Sequence, residues 1–309
     1  MTEYRAHLDF HIAFANGGRL EGEGFRLDVP HADVTRDEVA ALLVRHLGLA
    51  LVGSVDFTRF DIVNEPHKGS RGVATAAAEP GTASGQRVVD LSHVIRDGLV
   101  TYPGLPEPTI SPYLTREDSR LRYAPGTEFA MDTITLLGNT GTYLDSPWHR
   151  YEGSTDLAGL DLSTLVGLRA EVFHLADAWT PARRGIGPLA FADRDVRGAA
   201  VLIHTGWDRH FGTPQYGVGA PFLDRDAVPA LIEAGAALVG IDSLNIDDTE
   251  SGGERPAHTG FLAAGVHVVE HLTRLDELPA SGATFTAAPP AIEGFGTFPV
   301  RAFAVLDLE

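Results

Sequence analysis

The sequence predicts a mixed α/β protein in two parts: a small α+β module over residues 1–67 and a larger domain over 88–309, joined by a linker at 68–87. Three observations carry this. Residues 68–87 are rich in Gly, Ala, Ser and Thr and contain no large apolar residue except Val73, the composition of a flexible connector. Before them lie a hairpin pattern and a capped helix. After them, β-rich segments alternate with helices that end at glycine, the pattern of a mixed α/β domain.

In the first part, 6–14 and 19–29 read as strands separated by Asn16-Gly17-Gly18, which supplies the positive backbone angles of a tight turn. Thr35-Arg36-Asp37-Glu38 matches a capping box, with Val39, Leu42, Leu43 and Leu47 following at helical spacing and Gly48 as the stop. A strand at 50–57 and another at 60–63 complete the module. His11, His31, His46 and His67 show no ligand spacing, and the module is assigned no chemistry.

In the second part, strands are expected at 88–93, 133–137, 168–174, 199–204, 237–241, 266–270, 283–287 and 300–305. Helices at 224–234 and 259–264 end at Gly235 and Gly265 and lead into apolar strands. There is no internal repeat, no Gly-rich phosphate loop, and no serine elbow around Ser92 or Ser146.

Composition narrows the function. A formal net charge of −18 argues against nucleic acid and against anionic membrane surfaces as partners. Cysteine is absent, which excludes disulfides, thiolate nucleophiles and Cys metal sites, so any metal must rest on His, Asp and Glu. The opening MTEYRAHLDF lacks a basic region followed by an apolar one, and no run of about 18 apolar residues occurs, so a soluble cytoplasmic protein is expected.

The densest polar cluster is 139–149, NTGTYLDSPWH, expected as a loop after the strand at 133–137. Asp145 and His149 stand four apart, and Pro147 rules out a regular helix between them. From the residues alone, a capping Asp beside a surface His fits as well as a paired site. His258 and Glu270 are separated by a short helix, Gly265 and a strand, which brings both to one sheet edge if the helix packs back; that condition is loose.

Segment 139–149 resembles the signature of the cyclase family, the group containing bacterial kynurenine formamidases, in which His-x-Gly-Thr-His-x-Asp-x-Pro-x-His follows a strand. Gly141, Thr142, Asp145, Pro147 and His149 match it. DLSHVIRDGLVTYPGLPEP (90–108) is similar to the family's opening segment, HTGWD (204–208) and LVGIDSLNIDD (238–248) to two strand ends, and PVRA (299–302) to its closing strand. His258 and Glu270 fall at the spacing of its distal His and Glu.

The resemblance implies a swivelling β/β/α domain, a homo-oligomer and a small-molecule substrate. It makes Asp145 and Glu270 metal-bridging carboxylates, His258 a ligand, and His149 the proton donor and acceptor. The signature's first two histidines, which supply the second metal position in the resembled enzymes, are Asn139 and Tyr143 here. An Asn carbonyl is a weak ligand and a phenol binds well only once deprotonated, from a pKa of about 10. One divalent metal, zinc or manganese, on Asp145, His258 and Glu270 is therefore expected, hydrolysing an amide, lactam, lactone or ester. The alternative is a metal-free cyclase, dehydratase or isomerase acting on a secondary-metabolite-type substrate, with Tyr143 and His149 as catalytic groups. A third reading is a non-catalytic small-molecule binder. Asn139, Trp148, Phe222 and Phe295 are the expected substrate-binding residues.

Overall fold

Alternation along the first strand decides how the N-terminal residues fold. In the computed structural model, which describes residues 3–15, 17–47, 49, 51–65 and 85–307, the chain divides into two units, Met1–Gly81 and Thr82–Glu309. The first contains β1 (Glu3–Phe14), β2 (Arg19–Val29), α1 (Arg36–His46) and β3 (Val52–Glu65), with an antiparallel sheet in the order β2-β1-β3. Ala6, Leu8, Phe10 and Ile12, at every second position of β1, are buried in one cluster with Val39 and Leu43 of α1. Thr35 caps α1 through a reciprocal box with Glu38. Gly17 turns the hairpin at φ +85°. The readings placed on Asn16, Gly48 and residues 68–84 lie outside the described residues.

The two strands expected at 50–57 and 60–63 are one. In β3, Arg59 lies opposite Asp9 and Phe57 opposite Phe10, so a bulge at Thr58 absorbs the break in alternation that looked like a gap. The Thr58 hydroxyl donates to the Asp9 carbonyl at 3.2 Å.

The second unit runs β4 (Gln86–Asp90), β5 (Thr109–Leu114), α2 (Arg116–Ser119), β6 (Met131–Thr135), β7 (Tyr143–Asp145), β8 (Leu168–His174), β9 (Gly185–Ile186), β10 (Ala200–His204) and β11 (Phe222–Leu223). It continues with α3 (Ala227–Glu233), β12 (Leu238–Ile241), α4 (Pro256–Ala263), β13 (His267–Glu270), β14 (Ala283–Thr286), β15 (Thr297–Pro299) and β16 (Phe303–Asp307). Nine of these strands form one mixed sheet, β15-β7-β13-β12-β10-β8-β14-β16-β4. Its centre, β8, β10, β12 and β13, is parallel and buried on both faces, which is why these segments read as continuous apolar runs. Val201, Ile203, Val239 and Ile241 pack with Leu231 of α3 and Phe261 of α4. Leu202, Leu238, Val269 and Leu144 pack on the opposite face with Val172 and Phe285.

Several boundaries differ from expectation. Gln86 and Arg87, assigned to the linker, pair with Asp307 and Leu306 in the sheet. The closing strand starts at Phe303 rather than 300, because Val300 is occupied by a hydrogen bond to the Thr142 carbonyl. The largest difference is β7, which lies inside the expected loop 139–149; its three residues are too few to show alternation. No helix of the described residues is long and apolar enough to cross a membrane.

Candidate active site

Strand β7 runs between β13 and β15, antiparallel to both. Tyr143 lies opposite Glu270, and Asp145 opposite Thr297. Because alternate residues of a strand share a face, Tyr143 and Asp145 join Glu270 and Thr297 on one side, while Leu144 points into the core opposite Val269. The turn Pro147–His149 then carries His149 back over this face. Gly296 allows the approach: a Cβ there would stand 2.6 Å from the His149 backbone nitrogen and Cα. His258 arrives on the first turn of α4.

Hydrogen bonds fix the direction of each imidazole. Thr297 Oγ1 is 2.5 Å from Asp145 Oδ1 and 2.7 Å from His149 Nδ1. An ionised carboxylate only accepts, so the Thr297 hydroxyl donates to Asp145 and accepts from His149 Nδ1–H, which leaves His149 Nε2 as the basic nitrogen. His258 Nδ1 is 2.6 Å from Asp247 Oδ2, and Asp247 also accepts from the amides of Ala257 and His258. His258 Nε2 therefore faces inward, 3.4 Å from Asp145 Oδ2 and 3.7 Å from Glu270 Oε1.

Glu270 is bound on both oxygens. Oε1 accepts from the Ile246 amide at 2.7 Å; Oε2 accepts from the Tyr143 hydroxyl at 2.6 Å and from Asn245 at 3.3 Å. Behind them, the Tyr216 hydroxyl donates to His271 Nδ1 at 2.7 Å, and His271 Nε2 donates to the Tyr143 oxygen at 3.3 Å. Every proton in this chain points toward Glu270.

The electrostatics follow from burial. The Glu270 carboxyl is pushed up to about 7, first by burial and also by Asp145, against the lowering effect of His258. Burial pushes Asp145 up too, but the neighbouring His258, His149 and Thr297 outweigh it and hold it below the ordinary carboxylate value. Burial lowers His258, yet Glu270, Asp145 and Asp247 together raise it well above the ordinary imidazole value. Burial, Glu270 and Asp145 raise the Tyr143 phenol well above its usual range, so it stays protonated and is no phenolate ligand.

These residues fit a metal. Asp145 Oδ2 is buried without a hydrogen-bond partner, and three carboxylates crowd one imidazole. Asp145, His149 and His258 each offer a ligand atom, all within 4.8 Å of one another. The expected set names Glu270 as the third ligand; its Oε1 stands 3.7 Å from His258 Nε2, and its carboxylate accepts three hydrogen bonds, from Ile246, Asn245 and Tyr143. His149 Nε2 is 3.8 Å from Asp145 Oδ1, and its side chain is 35% exposed, facing the cavity.

That cavity, of about 760 Å³, is lined by Asn139, Tyr143, His149 and His258 together with Tyr102, Leu105, Leu137, Arg150 and Arg255. Asn139 is thus placed as expected, beside Tyr143. Trp148, Phe222 and Phe295 are not among its lining residues. Trp148 and Phe295 are exposed, Phe295 packing on Phe298 with ring centroids 6.1 Å apart, and Phe222 carries the Arg184 guanidinium at 5.3 Å. Sequence proximity to the motif does not decide which way an aromatic ring turns.

Residues 89–248 match the family described as "Putative cyclase". A kynurenine formamidase from Geobacillus thermodenitrificans is 30% identical over 217 residues, covering 69% of this chain and 95% of the relative. The chain belongs to the cyclase family of hydrolases. Another kynurenine formamidase of this family, from Bacillus cytotoxicus, is 24% identical over 215 residues, covering 69% of this chain and 95% of its own. An isatin hydrolase solved with thioisatinate shares the fold, with a TM-score of 0.61 at 22% identity over 72% of this chain and 93% of that one. A cyclase-family structure described as a potential metal-dependent hydrolase with cyclase activity gives 0.58 at 26% identity over 72% and 99%.

The sequence reading missed Thr297, Asn245, His271 and Tyr216, and read Asp247 only as a turn cap. Asp247 does hold the start of α4, and its position just beyond the carboxyl end of a parallel strand was the available signal for more. Thr297 offered none, lying 152 residues from Asp145.

Two predictions follow from this geometry. Thr297→Val should lower kcat at least tenfold, by releasing the His149 tautomer, while Thr297→Ser retains most of it; steady-state kinetics of the pair measures this. Burial holds His271 at about 3 and His93, stacked on Phe211 with ring centroids 3.6 Å apart, at about 4. Both stay neutral when folded but protonate near 6.5 when unfolded, so their contribution is complete above about 6.5 and is lost as pH falls toward 4 and 3. Urea titrations between pH 6.5 and 4 should show His93→Phe losing about one proton from the pH slope of unfolding.

Proposed function

We propose that the C-terminal unit hydrolyses an amide, lactam, lactone or ester bond of a small organic molecule with one divalent metal ion, zinc or manganese. The observation that carries the reading is the unpartnered Asp145 Oδ2, buried and facing His258 Nε2 at 3.4 Å among an excess of carboxylates. Relatives named for a formamidase and for an isatin hydrolase support a carbonyl–nitrogen bond as the target.

Asp145 and His258 would hold the ion, with Glu270 Oε1 as the third donor, since one lone pair of Oε1 remains after its bond from Ile246. When bound there, the ion would supply Lewis acidity toward the scissile carbonyl. His149, the member of the cluster open to the cavity, takes a proton from the attacking water at Nε2 and returns it to the leaving nitrogen or oxygen. Its Nδ1–H stays on Thr297 throughout, so Asp145 stabilises the imidazolium through one hydroxyl. Asp247 orients His258 from behind. Asn139 and Tyr143 line the floor, and Tyr143 steadies Glu270.

Elemental analysis of protein purified without chelator is expected to give about one divalent ion per chain. Asp145→Ala and His258→Ala should lose both ion and activity, whereas His149→Ala should keep the ion and lose at least about a hundredfold in kcat. A His149→Ala protein devoid of metal would instead make His149 a ligand.

The same reading includes self-association. Among the described residues, strands β5 and β6 pair only with each other and expose Ile110, Tyr113, Met131 and Ile134; an isolated two-stranded ribbon is marginal in water, and exposed apolar surface of this kind marks contacts. Light scattering should give an oligomer that Tyr113→Asp with Ile134→Asp weakens.

A further inference from the structure

We propose that the outer cavity is an anion subsite, in which Arg150 and Arg255 bind a carboxylate of the substrate remote from the bond that is cut. The inference rests on the hydrolase reading above and narrows its substrate class. The chain has 42 acidic and 24 basic residues, and the acids nearest Arg255 in sequence are already engaged by other arginines. Arg184 holds Asp248 and Glu250; Arg225 holds Glu254. Those acids are the sequence neighbours of Arg255, and they are turned away from it. Among the described residues neither Arg150 nor Arg255 forms an ion pair.

Both are nevertheless fixed in place. Arg255 Nη1 donates to the carbonyls of Glu254 at 2.7 Å and Asp248 at 3.2 Å, and the guanidinium also interacts with the Tyr102 hydroxyl, which leaves further N–H donors for a ligand. Arg150 Nε donates to Thr259 Oγ1 at 3.4 Å, and its guanidinium lies 5.2 Å from the Tyr151 ring centroid. Each arginine adjoins a reacting residue in sequence: Arg150 follows His149, and Arg255 precedes His258 by three. Arg150 leans on Thr259 of α4, the helix that Arg255 immediately precedes, and both arginines line the same cavity. A guanidinium fork matches a carboxylate with two parallel hydrogen bonds, and low water content strengthens the pair.

The same cavity is also lined by the apolar and aromatic side chains of Tyr102, Leu105 and Leu137. The substrate class is therefore a ring-bearing amide, lactam or ester with an acidic group on the far side of the ring. The arrangement also accounts for discrimination by a strongly acidic protein, whose general field repels the anion that this opening accepts.

The test uses the metal-loaded full chain with 4-formamidobenzoate and its neutral partner 4-formamidobenzamide. The kcat/KM ratio of acid to amide is expected to be at least tenfold, arising in KM, to collapse toward one in Arg255→Met and Arg150→Met, and to recover in part in Arg255→Lys. Equal turnover of the two compounds, or a preference that survives both Met variants, overturns the subsite. If neither compound is hydrolysed, the hydrolase reading is what has failed, and calorimetric titration with benzoate and benzamide decides the subsite separately. Tighter benzoate binding that Arg255→Met abolishes upholds it; equal binding, or benzoate binding indifferent to the substitution, overturns it.

Discussion

His258, buried at the base of α4, sits among three carboxylates, and much of the unit's geometry is arranged to make that tolerable. Asp247 is held by the first amides of α4 and grips Nδ1, so its charge is spread over three donors before it meets the others. Asp145 gives one oxygen to Thr297, and Glu270 gives both to Ile246, Asn245 and Tyr143. What is left over is aimed at Nε2 of one ring. A buried charge without a partner costs several kcal/mol, of order the whole margin of a domain's stability. Removing any one donor therefore loads the cost onto the remaining groups, and the site behaves as one unit.

Placement of those groups reduces to the register of a three-residue strand. Since β7 pairs on both sides, each of its polar residues has a neighbour across the sheet: Tyr143 meets Glu270, and Asp145 meets Thr297. A slip of one residue would send Leu144 to the polar face and both polar side chains into the core. Leu144, wholly buried beside Val269, opposes that slip. Core packing on one face thus sets hydrogen bonding on the other, and Gly296 lets the His149 turn close over the result.

The sequence makes some of this readable and hides the rest for identifiable reasons. The apolar runs of β8, β10, β12 and β13 announce a buried parallel sheet because each is long enough to show its composition. β7 and β15 do not, being three residues each among Gly, Thr, Pro and Ser. Asp145, His149, His258 and Glu270 stand out through the family motif and its spacing, whereas Thr297 acts only through a cross-strand contact between segments remote in sequence. Trp148, Phe222 and Phe295 illustrate the converse: their apolar character is evident in the sequence, but none of them lines the cavity beside His149. Arg150 and Arg255 become conspicuous only once the cavity they share with His149 and His258 is seen.

Asn139 and Tyr143 replace the two histidines of the family signature, and their surroundings show more than a loss. A second cation beside Glu270 Oε2 would offset its charge; here the Tyr143 proton occupies that direction, with Asn245 beside it and Asn139 adjoining the phenol. The phenol cannot readily yield this proton, because burial and two carboxylates hold it well above its ordinary range. Nor can His271 supply another, since burial keeps it neutral, with its single N–H already given to the Tyr143 oxygen. The chain from Tyr216 to Glu270 is therefore locked in one direction. It puts fixed dipoles on Oε2 where a cation would otherwise stand, while Oε1 keeps one lone pair beside its bond from the Ile246 amide.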